Sequence, residues 1–204
     1  MAKSQTKKPD ARKSLLDAAK KVLRRDGYAG FSTREVAEQA GVPLSQIHYH
    51  FGSKTGLVLA LFEHQNNELL SRQRTMFDDK SIPLSERWER ACDYLDEDIA
   101  SGYVRTLQEL IAASWSDPEI SKAVQKAQLG WHTFLTEVAG RVGDEIGGFG
   151  PFTPKDAAAL VANAFIGAES MFLLGMEKHG YPVRDCLRRV GDLIRLTEQQ
   201  RKKE

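Results

Sequence analysis

Cysteine is scarce. The 204 residues hold only Cys92 and Cys186, each alone in an apolar helical stretch. Such usage excludes a disulfide framework and a thiolate metal cluster, and it suits a reducing, cytoplasmic setting. Long hydrophobic runs are also missing. The longest nearly apolar stretch, Ala157 to Ala168, is interrupted by Asn163 and followed by Glu169. It falls short of the roughly 20 residues that span a bilayer. The opening MAKSQTKKPD is basic and polar with no apolar centre, so neither a secretory leader nor a membrane anchor is expected. There is no strand-like alternation, internal repeat, nucleophile elbow, dinucleotide fingerprint or paired-carboxylate site. Gly147-Gly148-Phe149-Gly150-Pro151 follows no strand and carries no Lys-Ser/Thr, so it is a loop between helices and not a phosphate cradle. His48 and His50 are two apart and point to different faces of a helix, and no Cys or carboxylate completes a tetrahedral set. These absences lead to a soluble, all-helical chain with no metal, no cofactor and no enzymatic activity.

What is present is an uneven charge distribution. Residues 1–54 carry eleven Lys and Arg against five Asp and Glu, a surplus of six positive charges. The other 150 residues carry 18 basic and 23 acidic groups, a surplus of five negative charges. A basic front on an acidic rear suits a chain that turns one end to a polyanion. Hydrophobic residues make up 41%, and the length allows a core without disulfides.

Helical spacing predicts a first helix from Asp10 to Asp26, with Leu15, Leu16, Ala19, Val22 and Leu23 on one face and Gly27 as its cap. Ser32 and Glu35 form a capping box, and Phe31 with Val36 the matching hydrophobic staple. That second helix stops at Gly41. A short third segment, Pro43 to Phe51, turns Ile47 and Phe51 inward. Gly52 ends it, and Ser53 caps a fourth helix from Lys54 to Phe77.

Three short helices with a tight turn between the second and third make a helix-turn-helix. The outward residues of the third are then Leu44, Ser45, Gln46, His48, Tyr49 and His50. Gln can pair bidentately with adenine, and Tyr donates to phosphate. Lys54 lies beside the free N–H groups that open the fourth helix, an anion site.

The run from Phe31 to Val42, followed by Ile47-His-Tyr-His-Phe-Gly-Ser-Lys54 and Leu57, resembles the signature of the tetracycline-repressor (TetR) family. The resemblance covers Ser14 to Leu61. It implies phosphate contacts from Ser32, Tyr49 and Lys54, and places Thr33, Arg34, Leu44, Ser45, Gln46, His48 and His50 near base edges or the backbone. Two positions depart from it. His48 stands where Tyr is common, and Pro43 where Ser or a similar cap is common.

Beyond Pro83, Ser85 is expected to cap a helix carrying Trp88, Ala91, Cys92, Leu95 and Ile99. A further segment follows with Tyr103, Leu107, Leu110 and Ile111. Asp117-Pro118 opens another, and the last two helices are Pro154–His179 and Pro182–Arg201. The expected architecture is all-α with about nine helices. It comprises a flexible basic tail (1–9), a helix-turn-helix domain (10–56), and an effector-binding and dimerisation domain (57–204). Large aromatics with a few polar neighbours suggest an effector cavity among Trp88, Glu109, Trp115, Trp131, Phe134, Asn163, Met171 and Phe172. The helix from Pro154 is apolar nearly all round and needs cover on more than one side. A homodimer through Ala164, Gly167, Ala168, Met171, Gly175, Leu187, Val190 and Ile194 supplies it. The resemblance implies a repressor that binds a pseudo-palindromic operator in double-stranded DNA and is released by a small-molecule effector. A ligand-binding or scaffold protein that kept the fold but lost DNA binding is the alternative.

Overall fold

The computed structural model describes residues 10–201. The expected basic tail, 1–9, lies outside them. Among the described residues there are nine α-helices and no strand. In order they are α1 (Ala11–Gly30), α2 (Thr33–Ala40), α3 (Ser45–Phe51), α4 (Lys54–Asp78), α5 (Leu84–Ser101), α6 (Tyr103–Ala113), α7 (Pro118–Ile146), α8 (Pro154–Leu173) and α9 (Val183–Arg201). Two compact units divide between Gln65 and Asn66, inside α4.

In the first unit, Leu15, Leu16, Ala19, Val22 and Leu23 of α1 form the buried stripe that the spacing predicts. Asp10 caps α1 by accepting from the Arg12 N–H. At Gly27, with φ 71° and ψ −178°, the helix breaks where the spacing predicts, and a separate helical turn runs on to Gly30. The staple pair Phe31 and Val36 is buried. Only half of the capping box forms. Ser32 Oγ accepts from the Glu35 N–H, while the Glu35 carboxylate turns to Arg25 at 2.6 Å and Gln39 at 3.1 Å. A charge-assisted bond to guanidinium outcompetes one to a backbone N–H. Gly41 ends α2 in the left-handed conformation, φ 66° and ψ 31°, which a side chain disfavours. Pro43 precedes α3 and is not part of it; its carbonyl accepts from the Gln46 N–H at 3.0 Å.

In the second unit, α7 packs along α8 and α5 along α9. Asp117 caps α7 as expected, accepting from the Glu119 and Ile120 N–H groups. Ser85 does not cap α5. It lies inside the helix, where its N–H and hydroxyl both donate to the Glu198 carboxylate of α9, at 3.1 and 2.6 Å. An acidic side chain from a distant helix thus satisfies α5's first turn. Ion pairs extend this seam, joining Arg195 to Glu89, Arg188 to Asp93, and Arg184 to Asp96. The helix expected over Pro154–His179 stops at Leu173. After Gly175 the chain closes a 3-10 turn, Met176–His179, because glycine is a poor continuation of a helix. Even so, α8 is 20 residues long, and by length and apolar composition alone it could cross a bilayer.

One buried amide ties three helices of this unit together. Asn66 of α4 accepts at Oδ1 from the Tyr103 hydroxyl of α6 and from the Trp131 indole N–H of α7, each at 2.8 Å. Asn66→Ala strands both donors, at about 1–3 kcal/mol for each unsatisfied group. Urea unfolding of the full chain should therefore show a loss of about 2 kcal/mol or more. A loss below about 0.5 kcal/mol, the range of an ordinary surface substitution, would show that the amide is not needed.

Candidate nucleic-acid interface and effector cavity

The third helix is built around one inward side chain, Ile47, which is 1% exposed. Its neighbours are therefore turned outward. Tyr49 is 80% exposed, Leu44, Ser45 and His48 are exposed, and Gln46 and His50 are half-buried. His48 Nδ1 lies 3.2 Å from the Gly52 carbonyl, and His50 stands edge-on to Tyr49 at 4.9 Å between ring centres. Seven helical residues make a rod of about 10 Å, a length and width that fit the roughly 12 Å major groove of B-DNA. At the start of α2, Ser32 caps, Thr33 is the first helical residue and half-buried, and Arg34 is exposed.

Lys54 opens α4 with its ammonium over the Tyr28 ring at 5.3 Å and the Phe31 ring at 6.0 Å. Ser53 Oγ accepts from the Gly56 N–H at 2.9 Å. Spacing alone missed three positions that hold this head in place. The Arg12 guanidinium lies over the Phe51 ring at 5.5 Å, and Tyr28 backs Lys54. At Gly56 a Cβ would sit 2.1 Å from the Phe51 carbonyl oxygen, so only glycine lets α4 start so close to the end of α3.

Within the second unit a cavity of about 110 Å³ lies among α4 to α8. Trp88, Trp131 and Phe134 line it, joined by Leu69, Phe77, Leu107, Phe165 and Ile166. It adjoins an open groove of about 1270 Å³ between the ends of α5, α7, α8 and α9, sharing Phe77, Trp88, Leu135 and Val161 with it. The other aromatic and polar candidates lie away from the cavity. Trp115, beyond the end of α6, is 83% exposed. Glu109 pairs with Arg105 along α6, Asn163 is on the exposed strip of α8, and Phe172 lies under the Arg184 guanidinium at 5.1 Å. Met171 is half-buried outside the wall.

The polar wall residues are Gln73, Asp98, Tyr103, Gln128 and Glu169; helical spacing placed Tyr103 on an inward stripe and singled out none of the other four. They sit among apolar neighbours on helices whose periodicity reads only as core. Burial pushes Asp98 up to about 6, against the pull of Arg72, which forks onto both its oxygens at 2.9 Å. Burial pushes Glu169 up to about 7; its Oε2 accepts from Gln108 Nε2 at 3.0 Å. Burial also raises the Tyr103 phenol above its ordinary value.

Among the proposed interface residues, Ala164 and Gly167 are exposed on α8. Met171, Gly175, Val190 and Ile194 are half-buried, and Ala168 and Leu187 are buried within their own chain. Exposed Leu160 of α8 and Leu193 and Leu196 of α9 extend the open apolar surface.

Comparison with known proteins places the first unit in a wider group. Residues 15–61 match the model for bacterial regulatory proteins of the tetR family. The HTH-type transcriptional regulator CymR of Pseudomonas putida is 32% identical over 117 residues, which is 55% of this chain and 55% of that protein. The chain thus matches about half the length of that curated relative. Two solved structures share the fold over nearly the whole chain. The regulator FadR from Bacillus subtilis, in complex with stearoyl-CoA, has a TM-score of 0.69 at 16% identity, covering 89% of this chain and 96% of that one. A transcriptional regulator from Saccharomonospora viridis, in complex with choline, has a TM-score of 0.70 at 23% identity, covering 90% and 94%. The helix-turn-helix is thus similar in sequence to that of bacterial regulatory proteins of the tetR family, and the all-helical fold is matched in space by solved regulator structures.

Proposed function

We propose that this chain is a cytoplasmic, homodimeric repressor that reads a pseudo-palindromic operator through α3 and releases it when a small molecule fills the second-unit cavity. The observation that carries the reading is a recognition helix with one buried anchor, Ile47, and an outer set that is polar or aromatic apart from Leu44 at its start. Surfaces of that composition do nothing for the core, and their donors and acceptors suit base edges and phosphates. A basic first quarter supports it, because phosphate neutralisation supplies most non-specific affinity. Curated relatives are transcriptional regulators, which agrees with the lack of any catalytic motif.

The effector part draws on the cavity and on α4. This one helix gives Leu57, Val58, Leu61 and Phe62 to the first core and Leu69, Gln73 and Phe77 to the cavity wall. If a ligand changes DNA affinity through this helix, DNA must change ligand affinity by the same factor. Related folds hold molecules as unlike as stearoyl-CoA and choline, so the ligand must be inferred from the wall of this chain.

Titration of variants on cognate and random DNA at several salt concentrations separates reading from anchoring. Gln46→Ala should cost about 1–3 kcal/mol on the operator and much less on random DNA. Lys54→Ala should weaken both about equally and flatten the salt dependence by roughly one unit per contact. If neither variant changes binding, α3 is not the reader. Absence of all DNA binding at low salt would favour the scaffold alternative.

The dimer is tested at Gly167, where an added Cβ meets nothing within 4 Å of its own chain. Gly167→Glu should leave the monomer folded yet shift sedimentation from twice 22.8 kDa to 22.8 kDa, with loss of operator binding. A wild-type monomer that binds the operator tightly would overturn the dimer. A monomer that instead partitions into lipid vesicles would assign the α8 face to a membrane.

A further inference from the structure

The aromatic donors of the cavity wall are committed elsewhere: the Trp131 indole and Tyr103 hydroxyl bond Asn66, and the Trp88 indole donates to the Leu187 carbonyl at 2.7 Å. Among the described residues, the one buried polar atom of the wall with no partner is an acceptor, Gln73 Oε1. Glu169, 8% exposed, has the Gln108 amide on one oxygen and no Lys or Arg beside it. Asp98 differs in this respect, because Arg72 neutralises it. Around these acceptors stand the faces and edges of Trp88, Trp131, Phe134 and Phe165, and aromatic faces attract cations.

Each class of occupant leaves a different account. A wholly apolar molecule would fill the space and leave Gln73 Oε1 without a partner and the Glu169 carboxylate without a counter-charge. An anion would meet Glu169 and Asp98 with no free positive charge in the wall. A protonated amine donates to both acceptors and neutralises the carboxylate.

Resting on the effector reading above, we propose that the cavity takes a small protonated amine on an aromatic or apolar body, its ammonium held by Glu169 and Gln73. The volume of about 110 Å³ is on the scale of the roughly 150 Å³ void known to admit benzene, so the body is about one ring wide. Larger bodies extend toward the adjoining groove. The raised Glu169 pKa agrees with a carboxylate awaiting its counter-charge. Facing Glu169 are Asp98 of α5 and Tyr103 and Gln108 of α6. Arg72 of α4 is engaged with Asp98, and α7 presents the neutral Gln128 and Trp131.

The test is calorimetric titration of the full chain with three probes of one shape: benzylamine, benzyl alcohol and benzoate. Benzylammonium should bind about tenfold or more tighter than benzyl alcohol, with benzoate weakest. Glu169→Gln should bring the cation to within about threefold of the alcohol. A second variant, Gln73→Met, keeps the question open to test if Glu169→Gln does not fold; it should weaken the cation several-fold. Cation binding should tighten from about pH 6 to about pH 8, as Glu169 ionises through about 7, and this trend should vanish in Glu169→Gln. Equal binding of amine and alcohol, or a preference that survives Glu169→Gln, overturns the inference while leaving the cavity as an effector site. Binding of none of the three overturns the effector reading with it.

Discussion

A seven-residue helix is far below the length at which helices persist unaided in water, and α3 starts on Leu44 with no side-chain cap. Its existence therefore depends on docking, and the docking rests on Ile47. Burying an Ile side chain contributes on the order of 1.5–3 kcal/mol, and here that term replaces the intrinsic stability the helix lacks. Phe51 sits under Arg12, and the missing Cβ of Gly56 lets the next helix begin at once. Because packing rather than propensity holds the helix, its other positions are free to carry Ser, Gln, His and Tyr. Those residues are mediocre helix formers but effective donors and acceptors toward a duplex.

The second unit poses the opposite problem, polar groups taken out of water. Three solutions appear on neighbouring helices. Asn66 is matched by two donors and fastens α4, α6 and α7. Asp98 is matched by Arg72, whose Nη2 donates to both carboxylate oxygens and whose guanidinium stacks on Tyr94 at 4.0 Å. Glu169 alone is left with a neutral amide. Burying a carboxylate without a counter-ion is costly, which explains its upward pKa. α8 carries this buried acid and, on another face, the open apolar strip with Leu160, Ala164 and Gly167. One helix thereby lines the cavity on one side and leaves an apolar strip exposed on the other.

Much of the first unit was legible because its signals are local. A turn glycine after a short helix, a staple pair five residues apart across the cap, and an inward Ile flanked by polar residues are all decided within one or two turns of chain. Where the reading went astray, a distant partner had intervened. Glu35 left the capping box for Arg25, and Ser85 ceded the α5 cap to Glu198. Trp115 looked like cavity lining and lies in solvent, because α6 ends just before it. The apolar stretch of α8 read as one long helix, and Gly175 divided it.

The sequence by itself determined the helical class, the helix-turn-helix and the outward residues of its third helix, since 3.6-residue periodicity and capping chemistry act over neighbouring turns. Only the tertiary structure decided which aromatics enclose space and which acids are buried without a cation. It also decided which small residues of α8 are covered by their own chain. Those properties depend on which helix faces which, and residues such as Gln73 and Glu169, 96 positions apart, meet in one wall only after the fold has closed.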